Sequence, residues 1–386
     1  MSASPRVGVV VDRFTCPGGV QTCFIELVAG LNRVGITPEI AWDEPTDWQA
    51  IGSPVLDTTF GGGSLPIGSR TVRSLPAWLQ DPAFRFSVRF ARLNLERYDF
   101  IYCFQAGIRM PASTPNVCWL TGPAYLQLPD PLSTEDDGRA RWSLKNCAVR
   151  LISPRLHPDP NSRYVAIAEW IADRFLHTYG SRLPVIWPPV RERTRPGSGP
   201  GPRRAGFLFL SRLEGYKNPE VMLGLAQRFP DVPVTVAGAT IGSSKEPDRI
   251  RRLAAELALR NLTVVEDPTD DMIGRLFDSH LVFVFPARWE HFGIVTVEAI
   301  QAGLLPLVHD SGGQREIVPI DKLRFKSEKE LAEKAAALLA TTIADQRETL
   351  AVLQRHVARG SPDNYRKEMI MLMCQDLGLT ELASRV

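Results

Sequence analysis

Residues 281–308, LVFVFPARWEHFGIVTVEAIQAGLLPLV, decide the fold. They open with the apolar run Leu281 to Phe285 and close with a second one, Leu305 to Val308, and a helix-like segment lies between. Runs of this length suit buried strands and are too short for an ordinary helix. Strand, loop, helix and strand in immediate succession make a βαβ unit, whose two strands run parallel.

Working outward, apolar runs at Phe207 to Leu210, Val232 to Val236 and Leu262 to Val265 repeat the same alternation upstream. Together they predict a doubly wound α/β domain over residues 206–360. The first half reads in the same way. The run Val7 to Val11 is followed by a Gly/Pro-bearing loop, Asp12 to Gly19. Phe24, Leu27, Val28 and Leu31 then fall at helical spacing, with Gly35 as a stop signal. Further strands are expected at Phe100 to Phe104, Val117 to Leu120, Tyr164 to Ala168 and Val185 to Trp187. Residues 1–190 therefore form a second Rossmann-like domain. Between the two, residues 191–205 are rich in Pro, Gly and Arg and offer almost nothing to bury, which marks a linker. The stretch from about 342 to 386 reads as helical, and residues 361–386 are expected to return across the domains.

With 386 residues, two cores are the natural expectation. The 45 basic and 43 acidic side chains leave a net charge of only +2, which argues against nucleic acid as the main partner. The six cysteines include no C-x-x-C pair, so neither a zinc site nor a disulfide framework is indicated, and free thiols in a reducing compartment are expected. The N-terminus has no basic lead and apolar stretch of a signal peptide, and no segment approaches bilayer-spanning length. The expected location is cytoplasmic, with any membrane contact peripheral.

In open α/β sheets, ligands bind beyond the carboxyl ends of the strands. Three segments bring chemistry to that edge. In Ser211 to Asn218, SRLEGYKN, Arg212 and Lys217 follow a buried strand and flank a helix start. Arg offers a planar fork and Lys a point charge, a placement suited to a diphosphate; alone, such a pair is more often two solvated loop residues. Gly238, in Ala237-Gly238-Ala239, permits a close backbone approach, although most such glycines only turn the chain. The third segment carries the most weight. Glu290 sits in the loop after a strand and Glu298 in the helix that this loop begins, so both can face one elongated ligand. Glu298 can accept from neighbouring ribose hydroxyls and Glu290 from a second sugar. The amides of Phe292, Gly293, Ile294 and Val295 point toward anionic oxygen. A bare pair of glutamates would more often decorate a helix; His291 and Trp289 beside Glu290 could shape a sugar pocket or simply pack.

The pattern Glu290-x-Phe292-Gly293-x-x-x-x-Glu298, together with Arg212, Lys217 and the Ser311-Gly312-Gly313 turn, resembles retaining GT-B glycosyltransferases of family 4. The likeness covers about residues 205 to 320. In the first domain it rests on Gly18-Gly19-Val20 and on Tyr164 to Glu169. It implies two Rossmann-like domains facing a cleft. It also implies Arg212 and Lys217 on the donor diphosphate, Glu298 on the donor ribose and Glu290 on the transferred sugar. Gly18 and Gly19 would close on the phosphates from the other side. No metal or other cofactor is implied, because the basic pair neutralises the leaving diphosphate; Asp136-Asp137 and Asp270-Asp271 read as loop and helix-start acids. The run from Glu290 to Gly313 is also similar to α-1,2-mannosyltransferases of lipid-linked oligosaccharides, which favours GDP-mannose as donor and a glycan, lipid-linked or small-molecule acceptor.

One departure stands out. Family members commonly place a histidine in the first domain near the reacting sugar, yet all six histidines here lie after residue 150, and the equivalent loop reads Thr121-Gly122-Pro123. Residues 66–100 hold six arginines against three acids, interleaved with Trp78, Phe84, Phe86 and Phe90. Such a surface fits anionic lipid headgroups, or is an ordinary amphipathic helix with a basic face. Two other functions share the scaffold: a sugar-nucleotide epimerase or hydrolase, and a partner subunit that binds nucleotide-sugar without turnover.

Overall fold

The computed structural model describes residues 4–11, 19–49, 53, 55–104, 107–121, 158–191, 206–240 and 245–384. The chain divides into two compact units, Met1–Pro189 with Pro362–Val386, and Val190–Ser361. The linker expected at 191–205 lies almost wholly outside the described residues.

In the first unit, strand β1 (Val7–Val10) leads toward helix α1 (Gly19–Arg33). Phe24, Leu27, Val28 and Leu31 are all fully buried, so the helical spacing marks the core face. Gly35 follows with a φ of 80°, the left-handed turn that ends the segment. Next come β2 (Glu39–Ile40), β3 (Thr59–Phe60), α2 (Ser69–Ser74), α3 (Ala77–Arg89), β4 (Phe100–Cys103), β5 (Asn116–Leu120), β6 (Arg163–Ala166) and α4 (Glu169–Tyr179). The six strands pair in the order β3-β2-β1-β4-β5-β6, and every pairing is parallel.

The second unit repeats the plan. It comprises β7 (Phe207–Leu210), a 3₁₀ turn (Gly215–Lys217), α5 (Val221–Arg228), β8 (Val234–Gly238), α6 (Glu246–Glu256), β9 (Leu262–Glu266), α7 (Asp270–Ser279), β10 (Val282–Phe285) and α8 (Ile294–Gln301). It continues through β11 (Leu305–His309), α9 (Gln314–Ile317), β12 (Arg324–Phe325), α10 (Glu328–Ala340) and α11 (Ile343–Val357). Its strand order is β12-β11-β10-β7-β8-β9. In both sheets the first strand sits mid-sheet and the chain winds away from it in each direction, so the order reverses between β1 and β4 and between β7 and β10. The α/β architecture of two doubly wound sheets stands as expected.

Three details differ from the expectations. Val185 to Trp187 forms no strand of its own but a single parallel bridge, Ala166 with Val185, because Pro184 and Pro188 on either side cannot donate to a ladder. Strand β8 starts at Val234 and not Val232, since Pro233 contributes only its carbonyl, accepting from Phe207 N at 2.9 Å. The two-residue edge strands β2, β3 and β12 carry too little pattern for a sequence reading. Asp270 and Asp271 do begin a helix, capped by Thr269, whose side chain accepts from Met272 N at 3.3 Å.

The last helices, α12 (Pro362–Leu377) and α13 (Thr380–Ala383), belong to the first unit. Helix α12 lies against α1, and a Cβ on Gly30 would come within 3.0 Å of the Arg366 side chain. The Arg366 guanidinium pairs with Glu26 of α1, their side chains being 12% and 5% exposed. Tyr102 of β4 donates to Met369 O of α12 at 3.0 Å, and both are buried. Breaking a buried pair from one side typically costs about 3–5 kcal/mol, whereas replacing both partners with apolar groups is often close to neutral. Arg366→Met should therefore destabilise the first unit by about 3 kcal/mol in urea unfolding, and the double variant Glu26→Leu/Arg366→Met should recover most of that loss.

Candidate functional site

The carboxyl ends of β7 and β10 meet at the point where the second sheet reverses its order, and their loops diverge there. Such a switch point leaves a crevice that no crossover fills. The loop after β7 carries Arg212, Glu214, Tyr216 and Lys217; the loop after β10 carries Trp289, Glu290, His291 and Phe292.

The two loops are joined by charge. Lys217 is buried, and its ammonium donates to Glu290 Oε2. Burial alone would raise the Glu290 carboxyl, but the charge and hydrogen bond of Lys217, then His291 and Arg212, outweigh it and hold it below the usual carboxylate range. Asn218, at a φ of 54°, ends the 3₁₀ turn and reaches Pro286 O at 3.4 Å, a second tie between the loops. Arg212 is exposed; its guanidinium donates to the Tyr216 hydroxyl and lies 3.1 Å from Glu214 Oε2. The Tyr216 ring has the Lys217 ammonium 4.8 Å and the Arg212 guanidinium carbon 5.8 Å from its centroid. Burial pushes the Tyr216 hydroxyl well above its ordinary range; Arg212 pulls it down, and the Glu214 and Glu290 carboxylates push it up again.

A third loop, after β11, sets the backbone of the second. Ser311 Oγ accepts from Trp289 N at 2.8 Å and lies 2.8 Å from His309 Nδ1. Gly313 N donates to Glu290 O at 2.7 Å. A Cβ on Gly312 would stand 2.3 Å from Glu290 O, and one on Gly313 2.3 Å from His291 O, so only glycines let the turn come this close. Trp289 holds a φ of 55°, a left-handed conformation costly for a bulky residue, and the Ser311 contact secures it.

Helix α8 begins at Gly293, whose φ of 109° directs the chain into the helix. The Thr296 hydroxyl donates to Gln314 Oε1 at 2.8 Å, binding the starts of α8 and α9 together. Glu298 is buried on α8, an unusual place for a carboxylate. Ile294 and Val295 are half-buried at the helix start. Phe292 packs into the core, so only its main chain can face a ligand. At Gly238 a Cβ would lie 1.5 Å from Ser211 O; the glycine is required by the approach of the protein's own backbone. Beside it, Asp267 N donates to Gly238 O at 2.9 Å, and the Asp267 carboxylate accepts from Thr240 N and Oγ1, both at 2.7 Å.

The structure thus gathers Arg212, Lys217 and Glu290 in one cluster, with His291 beside them. Gly19 heads α1 in the first unit, after the carboxyl end of β1. Gly18, Gly122, Pro123, Asp136 and Asp137 lie outside the described residues. Four participants were missed by sequence reasoning: Glu214 and Tyr216 around Arg212, Asn218 between loops, and His309 behind Ser311. Asn218 before Pro219 was a readable sign of a left-handed turn; the others carry no pattern. Among the described residues no group of three His, Cys, Asp or Glu could hold a metal ion, and no helix is long and apolar enough to cross a membrane.

Residues 190–356 match the family model described as glycosyl transferases group 1. The D-inositol 3-phosphate glycosyltransferase of Mycobacterium sp. (strain KMS) is 27% identical over 179 residues, 43% of this chain and 41% of that protein. Its counterpart in Mycolicibacterium gilvum is 31% identical over the same length. The chain spans about two-fifths of the length of these relatives. Among solved structures, a glycosyltransferase from Rickettsia africae superposes with a TM-score of 0.65 at 15% identity, over 96% of this chain and 98% of that one. Sucrose-phosphate synthase from Thermosynechococcus elongatus gives 0.65 at 14% identity, over 97% and 100%. HepE of Anabaena, solved with UDP and glucose, gives 0.61 at 16% identity, over 96% and 99%. The chain has the two-domain α/β fold of GT-B glycosyltransferases, and its second unit matches the glycosyl transferases group 1 family.

Proposed function

We propose that the protein is a glycosyltransferase whose second unit binds a nucleotide-diphosphate sugar and releases its hexose to an acceptor with retention of configuration. The observation that carries this reading is the cluster of Arg212, Lys217 and Glu290 at the switch point of the second sheet, beside the start of α8. Two cations next to a helix N-terminus suit a diphosphate. A carboxylate held ionised by Lys217 suits sugar hydroxyls. Buried Glu298 is assigned the donor ribose.

In this reading the bond from the anomeric carbon to the diphosphate breaks while the acceptor oxygen attacks from the same face. The acceptor proton ends on the departing diphosphate. Arg212, Lys217 and the amides of Ile294 and Val295 stabilise the leaving charge, which would supply much of the rate without a metal. The donor favoured by the sequence resemblance is GDP-mannose; HepE, solved with UDP and glucose, supports including the uridine series. For the acceptor, a glycan, a lipid-linked sugar or a small molecule is proposed. The matched D-inositol 3-phosphate glycosyltransferases add a phosphorylated polyol to the small-molecule class.

Peripheral membrane contact is part of the proposal and falls on the end of α3. There Phe86 and Phe90 are 43% and 51% exposed, with ring centroids 4.8 Å apart. Of the nearby arginines, Arg70 and Arg73 pair with Glu44 and Arg97 pairs with Glu39, so part of the basic run is already neutralised within the fold. Flotation with vesicles containing phosphatidylglycerol should carry the protein upward at low salt, and Phe86→Ser/Phe90→Ser should abolish this; a protein that stays at the bottom of the gradient removes the membrane from the proposal.

The donor site is tested by calorimetric titration of UDP, GDP, ADP and TDP without metal. A hydrogen bond to a charged group is worth about 1.5–3 kcal/mol, so Lys217→Ala and Glu298→Ala should each weaken the preferred diphosphate about tenfold or more. Binding of none of the four to the wild type, or equal binding by both variants, would overturn the assignment.

A further inference from the structure

The loop after β7 contains a carboxylate that the donor site does not need. Glu214 lies two residues from Arg212, and its Oε2 is 3.1 Å from Arg212 Nη1. That oxygen is closed off from solvent and makes no well-aligned hydrogen bond, so the pair is electrostatic and loosely satisfied. The Tyr216 hydroxyl accepts from the other terminal nitrogen of the same guanidinium. Arg212 is thus held on two sides by its own loop, while Lys217 is held by Glu290. Within the cluster two cations face two carboxylates, and the local charge is balanced without any ligand.

A diphosphate approaching Arg212 and Lys217 meets that balance. A guanidinium presents its forked edge to one carboxylate or phosphate at a time, so Glu214 and a phosphate oxygen contend for the same donors. Like charges a few ångströms apart in a half-buried site repel appreciably. From this geometry we infer that Glu214 is an internal stand-in for phosphate: it keeps Arg212 poised while the site is empty and returns to it as the nucleoside diphosphate leaves. Glu214 is then a positioning residue that sets product release, and the Tyr216 hydroxyl keeps the guanidinium from swinging into solvent during the exchange. The inference rests on the donor site proposed above.

Exchange of this kind has a signature opposite to that of a structural defect. Replacing Glu214 by Gln removes the competing charge and preserves size, so the preferred nucleoside diphosphate should bind about fivefold more tightly or better. The gain should appear as slower dissociation in stopped-flow displacement, with the thermal midpoint of the ligand-free protein unchanged. Glu214→Asp, which keeps the charge, should stay near wild-type affinity. Equal or weaker binding by Glu214→Gln while the wild type binds normally would overturn the inference and leave the donor site standing. A wild type that binds no nucleoside diphosphate would instead remove the donor site, and this inference with it.

Discussion

The ion pair between Lys217 and Glu290 spans the one place in the second sheet where neighbouring strands send their chains in opposite directions. Strands β7 and β10 are hydrogen-bonded to each other, and the loops that follow them carry Lys217 and Glu290 to the carboxyl end of the sheet. A lysine and a glutamate buried there separately would each bear a heavy desolvation penalty. Joined, they offset it and fix the distance between the loops. The other contacts of the site extend this constraint: Asn218 ties the first loop to Pro286, and the Ser311-Gly312-Gly313 turn grips the backbone on either side of Glu290. The position of the Glu290 carboxylate is therefore determined by three loops from three strands. These contacts hold the carboxylate in place without a ligand.

The first unit is shaped by a different constraint. Its sheet has the same order, but one of its covering helices, α12, comes from the far end of the chain and is held to α1 by the buried Arg366–Glu26 pair and to β4 by Tyr102. Charge also governs its outer face. The string of arginines between residues 66 and 100 is partly neutralised by Glu44, 29 residues before Arg73, and by Glu39, 58 residues before Arg97. A composition window could not include them, so a face that reads as uniformly basic is in fact divided.

Much of the strand framework was legible because buried parallel strands are written as short, continuous apolar runs: Phe207 to Leu210 and Val282 to Phe285 are fully buried and stand where the runs stand. The misreadings have local causes. Prolines at 184, 188 and 233 remove donors that a hydrophobicity pattern does not count, and two-residue edge strands exist only because a neighbour offers them a ladder. In the site, Arg212, Lys217 and Glu290 were readable through the motif they form with Phe292, Gly293 and Glu298, since charged loop residues taken singly are more often only solvated. Glu214 and Tyr216 lie in the same loop as Arg212 but belong to no such motif, and their contacts with its guanidinium appear only in the folded chain.

The sequence by itself determined the α/β class, the succession of strands and helices and the loops that carry charge, because burial and turn formation are local demands that each segment must meet alone. Tertiary structure decided which loops meet, which carboxylate each cation takes, that Gly238 yields to the Ser211 backbone and Gly312 to that of Glu290, and which unit the final helix completes. Those outcomes depend on strand order and on approaches of a few ångströms between residues far apart in the chain, and a linear pattern holds neither.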